Sequence, residues 1–195
     1  TMTRTFASKM ETRISIHEPF PEPSPGRRFN ELSERERSFF VGDEYLPLSP
    51  NHSERIKLLS RTDAQRIWDW LPLRNRVLWP SPKSTFTHLD SLLLKWDADE
   101  DPEVRDWLWS RSIPFGREVF ILHDNRRTVI QTEWKMLVRY WDAFSWSVGV
   151  EALVIDRSLS WCCHLHHESV LIFETFQQSE QGVGGQPATP LRVGD

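Results

Sequence analysis

The chain has 195 residues, 38% hydrophobic and 27% charged, a composition that excludes a disordered chain and a length that fits one domain. Its formal net charge is −4, from 24 basic and 28 acidic residues, which excludes a general nucleic-acid binder built on a basic stripe. No apolar run reaches the roughly 18 residues of a membrane span, the stretch from Thr1 to Arg4 lacks the apolar run expected of a secretory signal, and the only two cysteines, Cys162 and Cys163, are neighbours that bridge poorly. Reduced thiols in a cytoplasm are therefore expected.

From the N-terminus, residues 1–29 read as a disordered or extended arm, because Glu18 to Gly26 (EPFPEPSPG) interleaves proline with polar residues. The spacing suggests a weak helix over Asn30 to Phe40. A stronger one follows Thr62-x-x-Gln65, a capping-box pattern, with Ala64, Ile67, Trp68 and Leu71 on one stripe and Pro72 as its stop. Leu89 to Trp96 reads equally as a buried strand or a short helix. Asp101 and Pro102 open another helix, whose inner face is Val104, Trp107 and Leu108 and which Pro114 closes.

Glu118 to Leu122 and Thr128 to Gln131 form a predicted hairpin about Asp124-Asn125. A central helix begins after Thr132 and carries Trp134, Leu137, Val138 and Trp141, widened by Met136, Tyr140 and Phe144. Three short strands follow, Ala152 to Ile155, Trp161 to His166 and Val170 to Phe173, as an antiparallel meander. The order implies an α+β domain over 30–176, with N-terminal helices and one central helix packed on one face of an antiparallel sheet that ends in a three-stranded meander. Residues 177–195, with GVGGQPATP, read as a disordered tail without a phosphate-loop pattern.

Several groupings bear on chemistry. Cys162, His164 and His166 alternate along one predicted strand and so share a face. Such donors suit zinc with an open position for water, although same-face neighbours lie in a line about 6.5–7 Å apart. This arrangement supports an alternative reading as a metal-dependent or cysteine hydrolase, with Glu168 or Asp124 assisting. Asp97-x-Asp99-x-Asp101 starts like a calcium loop, but Pro102 and Leu108 stand where that loop needs glycine and glutamate. Asp124 and Asp156 are natural turn formers, and His123-Asp124 has no partner fixed by spacing.

The chain contains 10 tryptophans. Trp70, Trp109 and Trp146 fall off the helical stripes, and arginines including Arg105 and Arg111 share those helices. Tryptophan and arginine are enriched at binding hot spots, so Trp70, Trp109, Arg105 and Arg111 are the candidate partner-binding residues. The favoured reading has no catalytic residues, metal or cofactor.

The segment Leu153 to Phe173, with Asp156-x-Ser158-Leu159-x-Trp161 and then His167-Glu168, resembles the closing meander of small bacterial immunity-type proteins that neutralise polymorphic toxins, and of uncharacterised small families. The resemblance covers roughly a tenth of the chain. It implies a bacterial cytoplasmic binder that occludes a toxin, consistent with a non-enzymatic protein-binding module. A third expectation is an accessory subunit whose wide central helix is covered by a second copy, a homodimer.

Overall fold

The computed structural model describes residues 19–40, 47–71, 88–94, 101–123, 125–145, 151–166 and 170–175. Among the described residues, eight strands form one antiparallel sheet: β1 (Arg27–Arg28), β2 (Lys57–Leu58), β3 (His88–Leu93), β4 (Glu118–His123), β5 (Val129–Glu133), β6 (Ala152–Ile155), β7 (Trp161–His166) and β8 (Val170–Thr175). Their order across the sheet is β1-β2-β5-β4-β6-β7-β8-β3. The helices are α1 (Pro50–Ser53), α2 (Arg61–Trp70), α3 (Asp101–Trp109), α4 (Trp134–Arg139) and α5 (Trp141–Ser145). The expected hairpin is β4-β5, and the expected meander is β6-β7-β8 in full antiparallel register.

Helices cover both faces of this sheet rather than one. Alternate strand residues point to opposite faces, and they join two separate apolar clusters. Phe120, Leu122, Leu153, Ile155 and Cys162 pack with Ala64, Ile67 and Trp68 of α2. Val119, Ile121, Val154, Cys163 and Leu165 pack with α3, α4 and α5. Double coverage explains why β4 and β6 are apolar without alternation, since a strand buried on both sides has no solvent face.

The α2 stripe is as the periodicity predicts: Ala64, Ile67, Trp68 and Leu71 are all buried. Its cap differs. Ser60 is the N-cap, accepting a hydrogen bond from the Asp63 backbone N–H at 3.1 Å, so the cap falls on Ser60 and not on Thr62. The weak helix of residues 30–40 is instead two 3-10 turns, Phe29–Glu31 and Glu36–Phe40. The ambiguous segment is the strand β3, paired along its whole length with β8.

The single central helix is two. β5 runs on through Glu133, and the backbone breaks between α4 and α5 at Tyr140 (φ −126°, ψ 34°). The Tyr140 hydroxyl is tied to His52 Nδ1 at 2.7 Å. Trp134, Met136, Leu137, Tyr140 and Phe144 are buried within the chain itself, so the breadth of that stripe is covered by its own sheet and by α3.

The described part of the proline-rich arm is packed against the domain, and Arg27 and Arg28 near its end pair with β2 as β1. Phe20 lies 5.1 Å edge-on from Trp70 and 4.7 Å from Phe120, centroid to centroid. Gly26 passes so close to β2 that a Cβ there would stand 3.0 Å from the Leu58 carbonyl oxygen and 3.1 Å from Lys57 Cβ. Proline stiffens this segment but does not prevent aromatic anchoring. Residues 1–18 and the expected tail 177–195 lie outside the described residues. Among the described residues, no helix is long and apolar enough to cross a membrane.

Candidate functional site

β7 presents Trp161, Cys163 and Leu165 to the α3–α5 side, where Trp161 stacks on Phe173 at 5.6 Å and meets Trp134 edge-on at 5.4 Å. Cys162, His164 and His166 face the opposite side, as strand alternation predicts. They do not form one group of three. The register sets Cys162 opposite Glu174 and His164 opposite Ile172, and directly paired residues share a face. Glu174 therefore completes the first group: Cys162 Sγ to His164 Nε2 is 3.5 Å, Cys162 Sγ to Glu174 Oε2 is 3.4 Å, and His164 Nε2 to Glu174 Oε2 is 3.4 Å. All three residues are buried, Glu174 at 1% exposure, and its Oε1 has no hydrogen-bond partner.

His166 turns to a different carboxylate. Its Nε2 lies 3.0 Å from Oε1 of Glu151, the residue just before β6. Glu168 and Asp124, expected as supporting acids, lie outside the described residues, as do Trp146, Asp97 and Asp99. His123 is on the other side of the sheet, the side of β4 that carries Val119 and Ile121, and cannot join either group. Burial lowers its pKa to about 4, opposed in part by the Phe144 backbone. Neither ring nitrogen meets hydrogen-bond geometry. Asp156 is a turn former: its Oδ1 accepts from Ser158 N–H, Ser158 Oγ–H and Leu159 N–H at 2.9, 2.6 and 3.1 Å.

Electrostatics argue against a nucleophilic cysteine. Burial, and then the Glu174 carboxylate, push the Cys162 thiol well above its ordinary pKa. Burial pushes Cys163 up to about 12, against the attraction of Arg111. A catalytic thiolate needs the opposite environment, exposed and electropositive. A carboxylate, an imidazole and a thiol at these distances can hold a soft cation or form a buried hydrogen-bond network.

The aromatic and arginine candidates separate clearly. Trp109, at the end of α3, is 62% exposed and pairs edge-on with Phe115, 40% exposed, at 4.4 Å. Beside that turn an open cleft of about 330 Å³ is lined by Pro114, Gly116, Arg117, Glu118 and Arg157. Trp70 is half-buried beneath Phe20. Arg105 donates from Nη2 to the Arg139 carbonyl at 3.2 Å. Arg111 is engaged internally: Nε donates to the Trp107 carbonyl at 2.9 Å, Nη1 lies 2.6 Å from Asp90 Oδ2, and the guanidinium sits 4.3 Å over Trp107.

Glu174 and Glu151 escaped the sequence reading. A faint signal was present for Glu174. If the three residues after His166 close a hairpin onto Val170, counting back along both strands pairs position 162 with 174. An acid after the apolar run Leu171-Ile172-Phe173 then has a thiol for its neighbour. Comparison with protein-family models, with characterised proteins and with solved structures finds no match to this chain.

Proposed function

We propose that this chain is a non-enzymatic protein-binding module of the immunity type, acting in the cytoplasm, and that Trp109 with Phe115 is the anchor it presents to its partner. One observation carries the reading: a large aromatic pair stands out in solvent at the end of α3 while most other large apolar side chains of the helices are buried. A ring already braced by a neighbour loses little freedom on binding, which is the property of a hot-spot anchor. The adjoining cleft supplies polar rim groups, and the net charge of −4 favours a basic partner through long-range steering. A toxin that grips nucleic acid through basic side chains would suit that charge.

The test is a paired capture from the native cell with the parent chain and Trp109→Ala. A stoichiometric partner held at nanomolar affinity by the parent, and weakened at least about 30-fold by the substitution, is the expected result, equivalent to about 2 kcal/mol. The reading fails if the parent retains no stoichiometric partner, or if the variant retains it equally well.

A further inference from the structure

We infer that Cys162, His164 and Glu174 form a binding site for one soft divalent cation, zinc by preference, that clasps β7 to β8. The argument begins with the triangle of donor atoms, whose sides are 3.4, 3.4 and 3.5 Å. Zinc bonds to sulfur, nitrogen and oxygen measure about 2.0–2.3 Å, and tetrahedral ligands sit about 1.6 bond lengths apart, so about 3.3–3.7 Å from one another. The three atoms already stand at that separation. The donors also come from two adjacent strands, which removes the objection that a single strand can offer ligands only along a line.

The second observation is Glu174 Oε1, a buried carboxylate oxygen with no hydrogen-bond partner. A carboxylate buried to this degree ordinarily satisfies both oxygens. Coordination would engage this carboxylate: Oε2 stands at the tetrahedral spacing, and Oε1, too close to Oε2 to take a tetrahedral corner of its own, would make a second, longer contact with the ion. Charge gives a third argument. A thiolate and a carboxylate around a divalent ion sum to zero with a neutral imidazole, which suits a buried site far better than a lone carboxylate does. On binding, the thiol proton leaves to solvent and the sulfur lone pair takes its place on the ion. Thiolate and imidazole donors select zinc, or cobalt as its spectroscopic substitute, over magnesium and calcium. Because Cys162 and Glu174 are buried and His164 keeps only 8% exposure, the ion would clasp the two strands, with any water at its fourth position shut away from substrate. This inference is independent of the Trp109 surface.

Cobalt titration of the full chain, after chelator treatment, tests it. The expected result is one cobalt per chain, with the near-ultraviolet charge-transfer band of a cobalt–thiolate bond, displaced by stoichiometric zinc. Cys162→Ser should abolish the band, and the near-isosteric Glu174→Gln should weaken binding at least about 10-fold. His166→Ala and Cys163→Ala should leave both intact, and circular dichroism shows which variants are folded. A folded parent chain that takes up no cobalt at micromolar concentrations overturns the inference. So does a band that survives Cys162→Ser, or one lost in folded His166→Ala but unchanged in folded Glu174→Gln.

Discussion

His123 sits in the core with both ring nitrogens lacking a hydrogen-bond partner, and its pKa falls from 6.5 to about 4 through burial. The sign of the consequence follows. Below pH 6.5 the unfolded chain takes up a proton at this ring while the folded chain refuses it until about pH 4. Stability is therefore complete above 6.5, falls as pH drops from 6.5 to 4, and is flat below. At about 1.4 kcal/mol per pKa unit, the loss is on the order of 3 kcal/mol. His123→Leu should flatten that stretch of a urea-denaturation pH profile without lowering stability at pH 7, because a ring with no hydrogen bond loses none on replacement. His52, lowered by burial and then by Arg139, adds a slope of the same sign that remains in the variant. A profile as steep as the parent's would refute the assignment to His123. The burial of this ring was not legible: a histidine at the end of an apolar strand is as often the turn's first polar residue, and only the helices packed on Val119 and Ile121 close over it.

Among the elements, the arm gives the clearest contrast between composition and contact. Arg27 and Arg28 near its end pair with β2 as β1, and its prolines argue only for an extended backbone. They say nothing about Phe20, which fits between Trp70 and Phe120 under the Arg157 guanidinium 5.3 Å away. Glu22 ion-pairs with the same arginine. Phe20→Ala should cost about 1–2 kcal/mol, the scale for a half-buried aromatic and its edge-on contact, read as a lower urea midpoint at unchanged slope. An unshifted midpoint would mean that the arm is not docked in solution. The α4–α5 break belongs to this scale too. Periodicity alone reads Trp134 to Phe144 as one helix, but the Tyr140 hydroxyl reaches His52 at 2.7 Å, 88 residues away in sequence, and local spacing carries no trace of that bond.

For the whole molecule, the sheet order places β4, β6 and β7 well inside, flanked on both faces by apolar clusters, while β1 and β2 contribute only two residues each at one margin. Native-state amide exchange should accordingly be slowest in Phe120 to Leu122, Leu153 to Ile155 and Cys162 to His164, and fast at Arg28 and Lys57. Equal protection across the sheet would contradict this arrangement of cores. The two-sided core was partly legible. The unbroken apolar runs at positions 119–122 and 152–155 are what a strand covered on both faces must have, whereas the number and order of helices carry no information about which face each one covers.

What the residues determined by themselves was local. Periodicity set the stripe of α2, the face of α3 and the strands of the hairpin and meander, because burial demands that spacing whatever lies opposite. Alternation also put Cys162 and His164 on one face. Tertiary structure alone decided that Glu174 joins them, that His166 turns to Glu151, and that Arg111 is held by Asp90 while Trp109 stays in solvent. Each of those depends on which strand or loop lies alongside, a pairing between residues far apart in the chain, and side-chain chemistry at one position does not encode the neighbour that another segment brings to it.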